Sequence, residues 1–175
     1  ISVTGVSDVC SSDLYGIGGF PANSGGPAWW LGGGVSNLRI VKGQALYTGN
    51  FIPSTSPLTK TTVGSTGAGA ASSITGTVNF LGLQSNGFVD NSNDARTITQ
   101  VTTTIKPTII SPFATYYYSN YFNGSTDYLT VPSNAAFALG TGDFTIEFWV
   151  NTIGAATNGA STTDRFVFGA IANTP

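Results

Sequence analysis

Charge is what this 175-residue chain has least of: 8% of its residues are Asp, Glu, Lys or Arg, against roughly 25% in an average globular protein. There is no histidine and no methionine, and cysteine occurs once, as Cys10. Each absence excludes a chemistry. Without histidine, Ser-His and Cys-His nucleophile systems cannot be assembled within the chain. A lone thiol forms no internal disulfide and, lacking an imidazole or a second thiol beside it, holds no zinc. Basic residues are few and scattered, and the formal charge is -2, so nucleic acid, which needs several convergent cations, is not an expected partner. No apolar run approaches the roughly 20 residues of a membrane-crossing helix, which argues against membrane insertion. Ile1 to Leu14 has no basic start followed by an apolar stretch of the signal-peptide kind.

Gly, Ser, Thr and Asn fill the gap left by charge, and aromatic residues make up 12% of the chain. Thr and aromatic side chains fit a pleated sheet, whereas Glu, Lys, Arg and Gln, the strong helix formers, are scarce. The expectation is an all-β fold of antiparallel strands in a sandwich, with little helix. The length suits one domain or pieces of two.

The first segment stands apart. Val3 to Leu14, VTGVSDVCSSDL, back-translates to a close match of a common sequencing-library adapter with one base inserted after the codons for VTGV. Residues 1–14 are therefore read as non-native, and Asp8, Cys10 and Asp13 are given no role.

From Tyr15 the text runs through Gly-rich turns and Trp29-Trp30 into VSNLRIVKGQALYTGNFIPSTSPLT. Strict alternation sets Val35, Asn37, Arg39 and Val41 on one face and Ser36, Leu38, Ile40 and Lys42 on the other. Apolar residues on both faces predict a strand covered on both sides, ended at Lys42-Gly43. The small-residue stretch 60–75 reads as flexible linker. Beyond it, short strands joined by Asn-Gly, Asp-Asn and Asn-Asp turns are expected. DFTIEFWVN is the clearest strand: Phe144, Ile146, Phe148 and Val150 share a face predicted to be core, joined by Phe122, Tyr128 and Leu129 from a neighbouring strand.

Two stretches carry a family likeness. YFNGSTDYLTVPSNAAFALGTGDFTIEFWV resembles the opening strands of a LamG domain, of the concanavalin A-like lectin/glucanase fold, whose usual text is F-D-G-x-x-D-Y-L followed by a G-D-F-T-I-E-x-W strand; Asn123 stands where the usual aspartate would. VSNLRIVKGQALYTGNFIPSTSPLT resembles the closing strands, typically I-S-N-x-R-I-V-K-G, an aromatic, N-F-x-P-P and P-L-T. The end thus precedes the beginning. The resemblance implies a tandem array in which residues 15–59 finish one repeat, 60–75 link, and 76–175 open the next, giving a jelly-roll sandwich that is incomplete or permuted. Arrays with this wording are similar to those in structural proteins of marine tailed phages, so the implied setting is extracellular or virion.

Function turns on what the few reactive side chains allow. Glucanases of this fold need two carboxylates about 5 to 9.5 Å apart across a sugar ring, but Glu147 is the sole glutamate and its i-2 and i+2 neighbours are Thr145 and Trp149. It is expected on a solvated strand face, and the chain is expected not to be an enzyme. Gly16-Ile17-Gly18-Gly19 and Gly32-Gly33-Gly34 lead into no Gly-Lys-Ser/Thr signature and read as turns and strand ends. Asp90, Asp94 and Asp127 are candidate oxygen donors for calcium, which LamG domains sometimes bind, although Asx residues are also ordinary turn formers.

Aromatic residues are the remaining ligand candidates, because a sugar's apolar face stacks on an indole or phenol. Trp29, Trp30, Trp149 and Tyr116 to Tyr118 qualify by type, with core or edge packing as the alternative. Trp29, Trp30 and Tyr117 are the expected ligand-binding residues. As neighbours on an extended strand the two indoles must point to opposite faces, leaving one exposed. The resulting expectation is a binding or adhesive repeat for glycans or other cell-surface polymers, strengthened by neighbouring repeats. The alternatives are a spacer that binds nothing and a fragment of a glycoside hydrolase whose acids lie elsewhere.

Overall fold

The computed structural model describes residues 14–21, 28–113, 116–153 and 166–171. Asp8, Cys10 and Asp13 lie outside these. The strands are β1 (Leu14–Ile17), β2 (Gly19–Phe20), β3 (Trp29–Trp30), β4 (Gly32–Lys42), β5 (Thr77–Gly82), β6 (Thr99–Gln100), β7 (Lys106–Thr108), β8 (Ser119–Asn123), β9 (Leu129–Pro132), β10 (Phe144–Thr152) and β11 (Phe168–Ile171). A single 3-10 turn, Ala135–Phe137, is the helical element among the described residues.

All these pairings are antiparallel. One sheet has the order β11-β1-β9-β6; the other runs β10-β4-β8-β7, with β5 also beside β4. Strands β2 and β3 form a small ribbon of their own. The two large sheets close over one core in which Tyr15, Ile17, Leu129 and Val131 meet Val35, Leu38, Ile40, Phe80 and Phe122. The fold is an all-β sandwich.

Residues from the two ends of the chain share each sheet. β1 lies between β9 and β11, and β4 lies between β10 on one side and β8 and β5 on the other. Described strands from 15–59 and from 76–171 therefore share the same two sheets. The stretch 60–75, expected as free linker, is the return arm of a flap. Ile52 and Thr66 exchange backbone hydrogen bonds at 2.7 and 3.0 Å, Thr48 N donates to Gly69 O, and Ala71 N donates to Leu46 O. Val63 is 4% exposed and joins Val41, Leu46, Leu58, Val78 and Leu81 in a second core on the outer face of the β4 sheet. Its small residues permit this close packing, which composition alone reads as looseness.

Strand β4 is thus covered on both sides, as its apolar residues predict, but its faces are not those of simple alternation. Glu147 pairs with Arg39 whereas Trp149 pairs with Ser36, so β4 carries one extra residue opposite Phe148. That bulge sits at Asn37, whose φ is +57°, a conformation Asn tolerates better than most residues. After the bulge Val35, Leu38 and Ile40 enter the intersheet core while Val41 faces the flap. Asn37 also fastens the flap: its Oδ1 accepts from Leu58 N at 2.9 Å and from Gln84 Nε2 at 2.6 Å.

Strand β10 is an edge strand with a neighbour on one side, and this limits its burial. Ile146 and Phe148 pack against the intersheet core yet stay half-buried, Phe144 is half-buried, and Val150 is 44% exposed. Val150 is therefore not core. Phe122 and Leu129 are fully buried, but they reach the core from opposite sheets, because the chain crosses between layers at 124–128. Tyr128 is half-buried against Trp30.

Two substitutions separate the core from the edge. Phe80→Ala removes a fully buried ring and is expected to cost about 3–5 kcal/mol of unfolding free energy. Val150→Ala is expected to change it by no more than about 0.5 kcal/mol, with both values measured by urea denaturation.

Candidate functional site

The outer face of the β4–β10 sheet has a covered half and an open half, and Trp149 stands at the border. In the covered half, Arg39 is fully buried. Its Nε donates to Glu147 Oε1 at 2.7 Å, and Nη2 lies 2.6 Å from the same oxygen in an ion pair. Nη1 donates to Thr59 O and Thr62 O, each at 2.7 Å, and Nη2 to Val63 O at 2.8 Å. The five N–H groups of the guanidinium thus meet five acceptor contacts. Glu147 Oε2 accepts from the Tyr47 hydroxyl at 2.6 Å, and that hydroxyl lies 3.0 Å from Ser65 Oγ. Tyr47 stacks on Phe51 with ring centroids 3.9 Å apart.

Glu147 is consequently not on a solvated face: its side chain is 13% exposed and ion-paired beneath the flap. Alternation correctly set it opposite the core face of β10 and could not reveal the flap lying over it. The Tyr47 phenol is held above its ordinary pKa of 10.0, first by burial and then by its hydrogen bond to Glu147. Such a phenol is a structural donor rather than a nucleophile.

The carboxylates considered for calcium are occupied by internal donors. Asp90 Oδ1 accepts from Leu81 N and Ser92 N, and its Oδ2 from Ser92 Oγ and Arg96 N. Asp94 pairs with Arg96. Asp127 is 1% exposed; its Oδ1 accepts from the Thr102 and Thr104 hydroxyls and its Oδ2 from Asn123 N. No group of three or more His, Cys, Asp or Glu gathers as a metal site among the described residues. Ca²⁺ takes 6 to 8 oxygen ligands, and carboxylates already spanned by N–H and O–H donors do not fit that need. Asp90 and Asp127 organise turns, and Asp94 is ion-paired with Arg96.

Trp29 and Trp30 do not divide into one buried and one exposed indole. Both are half-buried, Trp29 tilted against Phe20 with centroids 5.4 Å apart and Trp30 against Tyr128 at 5.9 Å. Phe20 of β2 partners Trp29 and Tyr128, next to β9, partners Trp30, which alternation along a single strand could not disclose.

Tyr117 lies elsewhere, beside the open half of the face. It meets Phe113 edge-on at 6.0 Å, and Phe113 meets Trp149 edge-on at 5.1 Å. Next to Trp149 is a groove of about 150 Å³ whose walls include Ile110, Pro112 and Val150, with Ser36, Ser111, Ser119 and Asn151 as its polar lining. Trp149 qualifies by residue type in the sequence; what sequence lacked was its position at the end of the flap. Ser36 Oγ is already donating to Tyr118 O and Ser119 Oγ to Ile110 O, whereas the Asn151 side-chain amide is exposed and meets no hydrogen-bond partner among the described residues. The floor is rigid, because Asn151 pairs with Gly34 and Thr152 with Gly33. Gly33 has φ +140°, and a Cβ there would lie 2.1 Å from Asn151 O, so a side chain at 33 would push β10 and the groove apart.

Comparison with known family models, curated proteins and solved structures finds no match to this chain.

The Arg39 cluster and the aspartate turns make separate predictions. Arg39→Ala is expected to cost about 3–5 kcal/mol, since it leaves the Glu147 carboxylate without its cation, and to expose residues 59–63 to hydrogen exchange. The raised Tyr47 pKa contributes stability that is whole below pH 10 and lost as pH rises through the folded-state value. Unfolding free energy should therefore fall above pH 10 more steeply in the native chain than in Tyr47→Phe. For Asp90 and Asp127, calcium or a chelator should leave Tm unchanged, while Asp127→Ala lowers it; a calcium-dependent rise in Tm would overturn the turn assignment.

Proposed function

We propose that the chain is a non-catalytic module that binds carbohydrate or another cell-surface polymer in the groove beside Trp149. The observation that carries this reading is an indole at the mouth of an open groove with an exposed amide, Asn151, on the same face of the same strand. Aromatic faces receive the apolar face of a sugar ring, and amides receive its hydroxyls. A non-catalytic role is supported by Glu147, whose two carboxylate oxygens are engaged by Arg39 and Tyr47, so that this carboxylate is not available as half of a catalytic pair. The LamG likeness of residues 121–150, with its jelly-roll implication, fits a repeat in an extracellular or virion protein, where neighbouring copies raise weak binding to useful avidity. Trp29 and Trp30, packed on Phe20 and Tyr128, serve in this reading as scaffold, and Tyr117 forms the rim.

The spacer reading keeps one observation in its favour: the groove is well below the roughly 300–1,000 Å³ of sites for drug-sized ligands. Binding separates the two. Stacking on a single ring contributes about 0.5–1.5 kcal/mol by the aromatic-pair scale, so a glycan array of multimerised protein is the suitable assay. Asn151→Ala and Tyr117→Ala, both at exposed positions, are expected to weaken or abolish array signal with Tm unchanged. Full binding by both variants would favour the spacer.

A further inference from the structure

We infer that the groove is selective for a single neutral sugar ring, a terminal uncharged hexose, and discriminates against anionic glycans. This rests on the proposed binding role and adds the class of ligand. Three features of the groove carry it. Its lining, which includes Ile110, Ser111, Pro112, Trp149, Val150 and Asn151, holds no charged side chain among the described residues. A carboxylate or sulfate entering it would give up water against Ile110, Pro112 and Val150 with no cation to receive it, and burying an unpaired charge is strongly unfavourable. The nearby guanidinium, Arg39, offers nothing, since its N–H groups are all committed to Glu147 and the flap carbonyls.

The second feature is size. At about 150 Å³ the groove is about half the lower limit for drug-sized ligands, which suits one ring rather than several. The third is spacing. Trp149 and Asn151 are two residues apart on one strand face, so their Cα atoms lie about 6.6–6.8 Å apart. An indole and an amide at that separation can meet the face and the hydroxyl edge of one ring together. Ser111 adds a hydroxyl whose oxygen accepts from Phe113 N and whose proton is given to no acceptor among the described residues.

The test is an NMR titration of the whole chain, following the Trp149 indole N–H and the Asn151 side-chain amide, with methyl glycosides of neutral hexoses, the matching uronic acid glycosides, and neutral trisaccharides, each at low and high salt. The neutral monosaccharides should shift both signals. The uronic acids should bind about tenfold or more weakly, and affinity for the neutral ligands should vary by no more than about twofold with salt. Trisaccharides should gain little over the monosaccharide of the same terminal residue. Preference for the acidic ligand, strong salt dependence, or a large gain from the second and third rings would overturn the inference while leaving carbohydrate binding intact. If no sugar, neutral or acidic, moves either signal, the binding role itself fails.

Discussion

A buried guanidinium sets the terms for the rest of this molecule. Arg39 sits on the central strand with no exposure, and an unpaired charge there would be too costly to keep. Glu147 supplies the counter-charge from the adjacent strand, in direct cross-strand register. The remaining N–H groups are met by the carbonyls of Thr59, Thr62 and Val63. Those carbonyls come from irregular backbone, which is free to aim them inward because it is not spending them on a sheet ladder. The flap is therefore held by a charge as well as by the apolar contacts of Leu46, Leu58 and Val63.

The bulge at Asn37 makes that arrangement compatible with a packed sandwich. Val35 and Arg39 would fall on the same face of a regular strand. With one residue inserted, Val35 enters the core between the sheets and Arg39 faces the flap. The Asn37 side chain then accepts hydrogen bonds from Leu58 and Gln84, so the same irregularity that reverses the faces also locates the flap. A polar side chain at such a point is satisfied twice over, which is the condition under which buried amides are tolerated.

Because the flap covers only part of the sheet's outer face, Trp149 is packed on one side and open on the other. The groove beside it owes its shape to a paired strand and to the glycine at 33, which allows close approach of β10. Its chemistry is set by the scarcity of charge. With Arg39 and Glu147 neutralising each other beneath the flap, the open half of the face offers ring surfaces, hydroxyls and the Asn151 amide.

Strand content, the doubly covered β4, its end at Lys42-Gly43 and, on β10, the core-facing Ile146 and Phe148 but not Val150 were legible in the sequence, because period-two alternation and residue propensity act over a few neighbouring residues. So was the turn character of the Asx-rich stretches, since Asp and Asn bond to backbone within a few positions. What tertiary structure alone decided depends on contacts between distant parts of the chain. Residues 60–75 read as linker from their small side chains, yet those side chains allow them to lie against Arg39. Glu147 read as solvated because its cover is about a hundred positions away in sequence, at Tyr47. Trp29 and Trp30 read as one indole in and one out, and each instead found an aromatic neighbour from another segment. A bulge of a single residue shifted the faces of β4, and no periodicity encodes where the partner strand will skip.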